Sequence, residues 1–156
     1  MKKPLILFLA LLFPVCIFVF LKFFGKNQFD VAPLFETEFP EDMHDCTDSL
    51  ELPYKIPKRF HSQFSLPTQE LTLVYTLDAT EEISKVLNKV KREFGERVNH
   101  QQIVLSSDIR CALLLKDELD MVLIDKSGSI RGQYKSTDRD EVDRMMMELS
   151  ILFKEY

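Results

Sequence analysis

Residues 71–107, which decide the fold, read LTLVYTLDATEEISKVLNKVKREFGERVNHQQIVLSS. The stretch opens with an apolar, β-prone run, Leu71–Thr76, and Asp78 followed three residues later by Glu81 is typical of a capping box at a helix start. Ile103–Leu105 provides a second apolar run at the far end. Between these runs, apolar side chains recur at helical spacing: Ile83, Val86, Leu87, Val90 and Phe94. The stretch therefore predicts a βαβ unit with parallel strands and a right-handed crossover.

Two further β-prone runs and a last helix follow this unit. Met121–Asp125 and Ile130–Tyr134 flank the turn Lys126-Ser127-Gly128, which predicts a β-hairpin. After Thr137 the apolar residues again fall on one helical face, so we interpret the methionines among them as core packing rather than copper ligands. That stripe consists of Val142, Met145, Met146, Leu149, Leu152 and Phe153. The order predicts an α/β, thioredoxin-like fold, a βαβ unit plus a β-hairpin and a C-terminal helix.

The first 26 residues have the composition of a membrane segment. No charged side chain occurs from Pro4 to Leu21, and at about 1.5 Å per residue Pro4 to Phe24 would span roughly 30 Å, the thickness of a bilayer core. Lys22 and Lys26 are placed to reach the headgroups, and bulky residues follow Leu21 where a cleavage site would need small ones. We therefore predict an uncleaved, single-pass transmembrane helix that anchors the chain in the cytoplasmic (inner) membrane.

The remainder of the chain is acidic. Residues 1–26 hold four Lys and no acids, which leaves 16 basic against 25 acidic side chains in residues 27–156, a net charge of −9. A field of that sign repels phosphates, so nucleic-acid binding is disfavoured and a protein or cationic partner is expected. Because a very short N-terminal stub usually stays in the cytoplasm, we predict that the C-terminal domain is extracytoplasmic, and periplasmic in a diderm bacterium.

Composition divides the chain into three parts. Residues 1–26 are the predicted anchor. Residues 27–65, rich in Pro, Phe and acidic residues, predict an extended lead-in that acts as a tether. Residues 66–156 are the predicted thioredoxin-like domain.

The closing segment carries a resemblance to a known family. Residues 123–134, LIDKSGSIRGQY, with Thr137-Asp138 and the stretch 141–144, EVDR, are similar to the closing hairpin and helix of membrane-anchored SCO/SenC proteins. Residues 24–31, FGKNQFDV, and 53–57, PYKIP, resemble the anchor and lead-in of some of these proteins. The resemblance implies a thioredoxin fold in an extracytoplasmic setting. By extension it implies copper delivery or thiol chemistry during assembly of cytochrome oxidase.

The family's copper chemistry needs ligands that this sequence does not place in the family's positions. Those ligands are two Cys in a C-x-x-x-C loop after the first core strand and a His before the hairpin, because soft sulfur and nitrogen atoms hold copper. By the resemblance, Asp78 and Glu82 occupy the Cys positions and Asp117 lies near the His position. Hard carboxylates suit a hard cation, but Asp78 is also explained as a helix cap and Glu82 as a first-turn acid. We therefore predict no metal, no cofactor and no catalytic residue.

Two cysteines and three histidines remain in residues 27–156. His44 and Cys46 form an H-x-C pair, a soft ligand set too small for a copper site, and Cys111 begins an apolar run typical of buried packing. A disulfide between Cys46 and Cys111 is an alternative in an oxidising compartment, where it would clamp the lead-in to the domain. His61 and His100 lie in polar sequence and are interpreted as solvated surface residues.

These observations favour a noncatalytic, membrane-tethered SCO/SenC-like protein that acts as an accessory or interaction module. The process implied is cytochrome oxidase or copper-protein assembly. One alternative is a thiol-disulfide or copper-handling protein that uses Cys46 and Cys111. The other is a purely structural membrane tether.

Overall fold

The computed structural model describes residues 12–20, 31–40, 46, 50–66, 70–76 and 81–155. The chain divides into two compact units, residues 1–30 and residues 31–156. In the first unit, residues 12–20 are helical and exposed. Within the described ranges, no helix combines the length and apolar character that crossing a bilayer requires. Much of the predicted anchor, residues 1–11 and 21–26, lies outside these ranges.

The second unit is a mixed α/β domain around a four-stranded sheet in the order β2-β1-β3-β4. The strands are β1 (Leu71–Thr76), β2 (Val98–Ile103), β3 (Met121–Asp125) and β4 (Ile130–Tyr134). β1 pairs with β2 in parallel and with β3 in the antiparallel sense, and β3 pairs with β4 as a hairpin. The predicted parallel pair and the predicted hairpin are both confirmed.

Among the described residues of this unit, three α-helices pack on the sheet: α1 (Glu81–Phe94), α2 (Ser107–Leu113) and α3 (Arg139–Glu155). Both helices predicted from apolar periodicity are confirmed, and the methionines Met145 and Met146 are buried as expected. α2 lies in the stretch that the sequence predicts to be a connector. Its start is set by Ser106, whose Oγ accepts a hydrogen bond from the Ile109 N–H, and it ends where Leu114 adopts a left-handed conformation.

The two faces of the sheet carry separate hydrophobic layers. The α1/α3 layer joins β-strand side chains to the buried stripes of those two helices: Leu71, Leu73, Val86, Val90, Val98, Met121, Leu123, Tyr134, Val142, Met145, Met146, Leu149 and Leu152. The opposite layer, called here the α2 layer, joins the other sheet face to α2 and to residues 54–66. Strand alternation explains the division, because neighbouring residues of β1 point to opposite faces.

The second strand begins earlier than the sequence predicted. The expected position was Ile103–Leu105, whereas β2 runs from Val98 to Ile103. β2 lies at the edge of the sheet, so only its two end residues are buried and the four between are polar. An edge strand of this kind lacks the apolar run from which the prediction was made. Val104, which the sequence predicts to lie inside the strand, is exposed.

The lead-in is not an extended tether in its described part. Tyr54, Ile56, Phe60, Phe64 and Leu66 are all buried in the α2 layer. Placing the start of the domain at residue 66 was therefore wrong, since the compact unit begins at Val31. The physical reason is that α2 is short and cannot cover this face of the sheet alone, so aromatic residues of the preceding segment complete the layer.

Candidate functional site

The region that the resemblance singles out lies where β1 ends, β3 begins and β4 ends. These three strand ends meet because β3 runs antiparallel to its neighbours. The Thr76 N–H donates to the Asp120 carbonyl oxygen at 3.1 Å, and the Asp120 N–H donates to the Tyr134 carbonyl oxygen at 3.1 Å. The Asp120 carboxylate accepts hydrogen bonds from both the N–H and the hydroxyl of Ser136. The Asp120 carboxylate at this edge is therefore hydrogen-bonded within the chain, by the N–H and hydroxyl of Ser136.

The carboxylates that the resemblance places at ligand positions form separate ion pairs where they are described. Glu82, exposed in the first turn of α1, pairs with the Lys85 ammonium at 3.1 Å, one helical turn away. Asp117 is exposed and pairs with the Arg110 guanidinium of α2. Asp78 lies outside the described residues. Within the described part of the chain, no three His, Cys, Asp or Glu side chains come together to hold a metal ion.

A cavity of about 330 Å³ lies beside this edge, between α1 and the start of α3. Its lining includes Glu82, Lys85, Arg139 and an ion pair that bridges the two helices, Lys89 Nζ to Asp143 Oδ1 at 2.9 Å. Hydrogen bonding to Lys89 holds the pKa of Asp143 below its usual value. The described residues of the lining therefore carry both charge signs and include no thiol or imidazole group.

The two cysteines outside the N-terminal unit are bonded to each other. Cys46 and Cys111 form a disulfide with a Cα–Cα distance of 5.1 Å, which links the lead-in to the last turn of α2. Both residues are half-buried at the margin of the α2 layer. Nearby, the Tyr54 hydroxyl donates to the Ala112 carbonyl oxygen at 2.8 Å, and burial raises the pKa of Tyr54 to about 12. The disulfide alternative is the one that the structure adopts, whereas His44 lies outside the described residues.

Neither described histidine is a fully solvated surface residue, so that prediction was wrong. His61 is half-buried and donates from Nε2 to the Ile56 carbonyl oxygen at 3.0 Å. His100 lies on β2 with both ring nitrogens buried and without a hydrogen-bond partner among the described residues. Burial lowers the pKa of His100, Lys91 acts in the same direction, and Glu96 opposes them. His100 was predicted to be exposed because its neighbours in the sequence are polar, but its ring nitrogens are buried.

The hairpin also contains a polar network that was not predicted from the sequence. Asp125 is 3% exposed, and its Oδ1 accepts hydrogen bonds from Ser127 and from the Ser129 N–H, while its Oδ2 accepts one from Arg131 Nε at 2.8 Å. Burial alone would raise the pKa of Asp125, but these hydrogen bonds outweigh it and hold the pKa below its usual value. Arg131 also donates to the Val31 carbonyl oxygen at 2.7 Å. An Asp followed by Ser at alternate positions is the local signal that could have revealed this turn.

A second network joins β4 to α3. The buried Tyr134 hydroxyl donates to Glu148 at 2.5 Å, and Arg144 bonds Glu148, Glu141 and the Gln133 carbonyl oxygen. The Arg144 guanidinium also lies 4.9 Å from the centre of the Tyr134 ring. Burial, reinforced by Glu148, raises the pKa of Tyr134, so the phenol stays protonated and acts as a donor. This network fixes α3 on the sheet.

Comparison with other proteins adds no assignment to this geometry. No family model matches the chain, and neither curated proteins nor solved structures give a significant match.

Proposed function

We propose that this chain is a membrane-tethered, noncatalytic accessory protein of the SCO/SenC type, whose domain serves as an interaction module outside the cytoplasm. One observation carries the proposal. The ligand positions implied by the resemblance hold Asp78, Glu82 and Asp117, and the two that are described are neutralised by the chain's own Lys85 and Arg110. A fold of this type without soft ligands in those positions favours binding of another protein over copper transfer.

The connectivity of the sheet supports the thioredoxin-type part of the proposal. β1 and β2 are parallel neighbours, β3 is antiparallel, and β4 completes the order β2-β1-β3-β4. α1 and α3 contribute to one hydrophobic layer and α2 to the other. A thioredoxin-type domain has this arrangement of strands and helices.

Cysteine chemistry supports the extracytoplasmic part of the proposal. A disulfide such as Cys46–Cys111 persists in oxidising compartments and is rare in a reducing cytosol. The apolar N-terminal residues supply the proposed anchor. The membrane and its sidedness can be tested with alkaline phosphatase fused to the C-terminus. We expect active enzyme in the membrane fraction, whereas inactive or soluble fusion protein would contradict the placement.

The accessory role is tested by deletion and complementation. Loss of the chain should reduce the amount of assembled cytochrome oxidase in its host. A chain carrying Glu82→Gln and Asp117→Asn should restore assembly, because these carboxylates have no ligand role in the proposal. A chain lacking residues 1–26 should fail to restore it. If the carboxylate variant failed while remaining folded and membrane-bound, a metal-binding role for these acids would replace the noncatalytic one.

A second function is favoured by the Cys46–Cys111 pair. Cys46 and Cys111 are half-buried residues whose sulfur atoms are bonded to each other. A thiol-disulfide or copper-handling protein would act through these two sulfur atoms. The full chain in detergent, after reduction, should be titrated against a chromogenic Cu(I) chelator and separately against a test disulfide. Under the accessory proposal neither activity is expected. Tight Cu(I) binding that is lost in Cys46→Ser, or reduction of the test disulfide, would establish the second function instead.

A purely structural tether is the remaining alternative, and the deletion experiment separates it from the accessory role. A tether predicts unchanged oxidase assembly when the chain is absent. A reduced level that returns with the wild-type chain would support the accessory role.

A further inference from the structure

We propose that two copies of this chain associate through strand β2, which pairs with β2 of the second copy in an antiparallel arrangement and joins the two sheets. The sheet order places β2 at one edge and β4 at the other. Each edge strand carries a row of backbone N–H and C=O groups that a further strand can satisfy. The two edges differ in whether another segment of the same chain forms hydrogen bonds with these backbone groups.

The β4 edge is covered by the chain's own lead-in. The Leu34 N–H donates to the Ile130 carbonyl oxygen at 2.7 Å, and Arg131 of β4 bonds the Val31 carbonyl oxygen at 2.7 Å. The lead-in continues along the hairpin, where the Ile56 N–H donates to the Gly128 carbonyl oxygen at 2.9 Å. Strand addition at this edge would require these contacts to break.

The β2 edge is open in the described part of the structure. Among the described residues, β1 is the only segment that forms backbone hydrogen bonds with β2. The side chains beside it are accessible, since Gln102 is exposed and Val104, just beyond the strand, is 67% exposed. The Gln101 side chain reaches this backbone, since its Nε2 donates to the Gln102 carbonyl oxygen at 3.1 Å. Within the described ranges, β2 has no second strand beside it and an exposed apolar residue lies at its end.

Residues 98–107 also lack the residue types that normally block strand pairing. Soluble proteins protect edges with Lys, Pro, bulges or inward-pointing charges. Residues 98–107, VNHQQIVLSS, contain no Lys, Arg, Asp, Glu, Pro or Gly. Such a stretch is unusual in a chain of which 29% is charged, and it coincides with the uncovered edge.

Charge is the reason for choosing a second copy as the occupant. Residues 27–156 carry a net charge of −9, so two copies repel each other over most of their surface. Antiparallel pairing about a two-fold axis brings the same uncharged stretch to both sides of the contact. The β2 edge is thus suited to contact between two acidic domains, because no like charges are placed opposite one another in the paired strands.

The test measures the oligomeric state of the full chain in detergent. Sedimentation velocity over a range of concentrations should show a monomer–dimer equilibrium. Hydrogen exchange should show that the amides of residues 98–103 become more protected as the dimer forms. Gln102→Lys and Val104→Lys place like charges at the contact and should each weaken the dimer by about tenfold or more.

Met147→Lys is the matched control. Met147 is an apolar residue of α3 with 63% exposure, comparable to Val104 but far along the chain from β2. The control should leave the dimer constant unchanged, and circular dichroism should show that all three variants are folded. A monomer at every concentration, a dimer that Met147→Lys weakens as much as Val104→Lys, or capture of a foreign strand at β2 by a monomeric chain would each overturn the proposal.

Discussion

Gly132 occupies a position in β4 that admits no side chain. A Cβ atom there would overlap the ring of Tyr134, which is itself held by Glu148. We expect Gly132→Ala to lower the free energy of unfolding by about 1–3 kcal/mol, because Tyr134 must leave its buried position and α3 must shift with it. Urea unfolding followed by circular dichroism provides the measurement.

Gly95 offers a control for that substitution. It adopts a left-handed conformation, but a Cβ atom added there would meet no other atom within 4 Å. Asn tolerates this conformation, so Gly95→Asn should have a much smaller effect than Gly132→Ala. Equal effects at the two positions would show that glycine conformation, rather than the Tyr134 contact, accounts for the loss.

His100 makes the stability of the domain depend on pH. Burial lowers its pKa, so the folded protein favours the neutral imidazole. The stabilising contribution is therefore complete above the unfolded pKa of about 6.5 and is lost as the pH falls through the lower folded pKa. We expect the urea midpoint to fall between about pH 7 and pH 5, and His100→Leu to reduce that fall. An unchanged slope in the variant would show that other groups cause the acid sensitivity.

Helices and strands were predictable from sequence where one face of the element is buried. α1 shows this, because Ile83, Val86 and Val90 repeat at helical spacing and all three are buried. β2 shows the opposite case, since a polar edge strand is fixed by backbone pairing with β1 rather than by its own side chains. α2 depends on a cap at Ser106 and on the sheet face beneath it, neither of which gives a periodic signal in a helix of seven residues.

The disulfide stabilises the attachment of the lead-in to α2. Cys46 and Cys111 are separated by 65 residues, so the bond restricts a long loop in the unfolded chain. The double substitution Cys46→Ser, Cys111→Ser should lower the free energy of unfolding by about 2–5 kcal/mol in denaturant titrations. Cys16→Ser is the control, because Cys16 is an exposed free thiol and its loss should change nothing. A double variant as stable as wild type would contradict this role of the bond.

The hydrophobic interior of the domain cannot be completed without residues 31–66. Phe64 and Ile56 are almost fully buried in the α2 layer, although the sequence around them has no regular apolar period. Its content of Pro, Phe and acidic residues instead predicts an extended tether. The candidate site was also only partly predictable. Glu82 and Asp117 are visible in the sequence, but their pairing with Lys85 and Arg110 depends on the fold.

A truncated chain tests the revised domain boundary. A chain beginning at residue 67 lacks the buried aromatics of the lead-in, and we expect it to lose cooperative unfolding and near-ultraviolet circular dichroism. A chain beginning at residue 27 should retain both. If the shorter chain unfolded cooperatively, the strands and helices after residue 70 would be sufficient for folding and residues 31–66 would be an accessory covering.

The contacts of the lead-in determine how the domain would respond to mechanical tension. If the N-terminal helix is held in a membrane and a partner pulls on the domain, the force enters the sheet at Val31 and Leu34, through their bonds to Arg131 and Ile130. Once those bonds and the hydrogen bond from the Tyr54 N–H to the Phe35 carbonyl oxygen part, the residues up to Cys46 can extend, over a length of roughly 50 Å when fully stretched. Beyond that point the Cys46–Cys111 bond transmits the force to α2, so the buried aromatic segment stays in place while the linker lengthens.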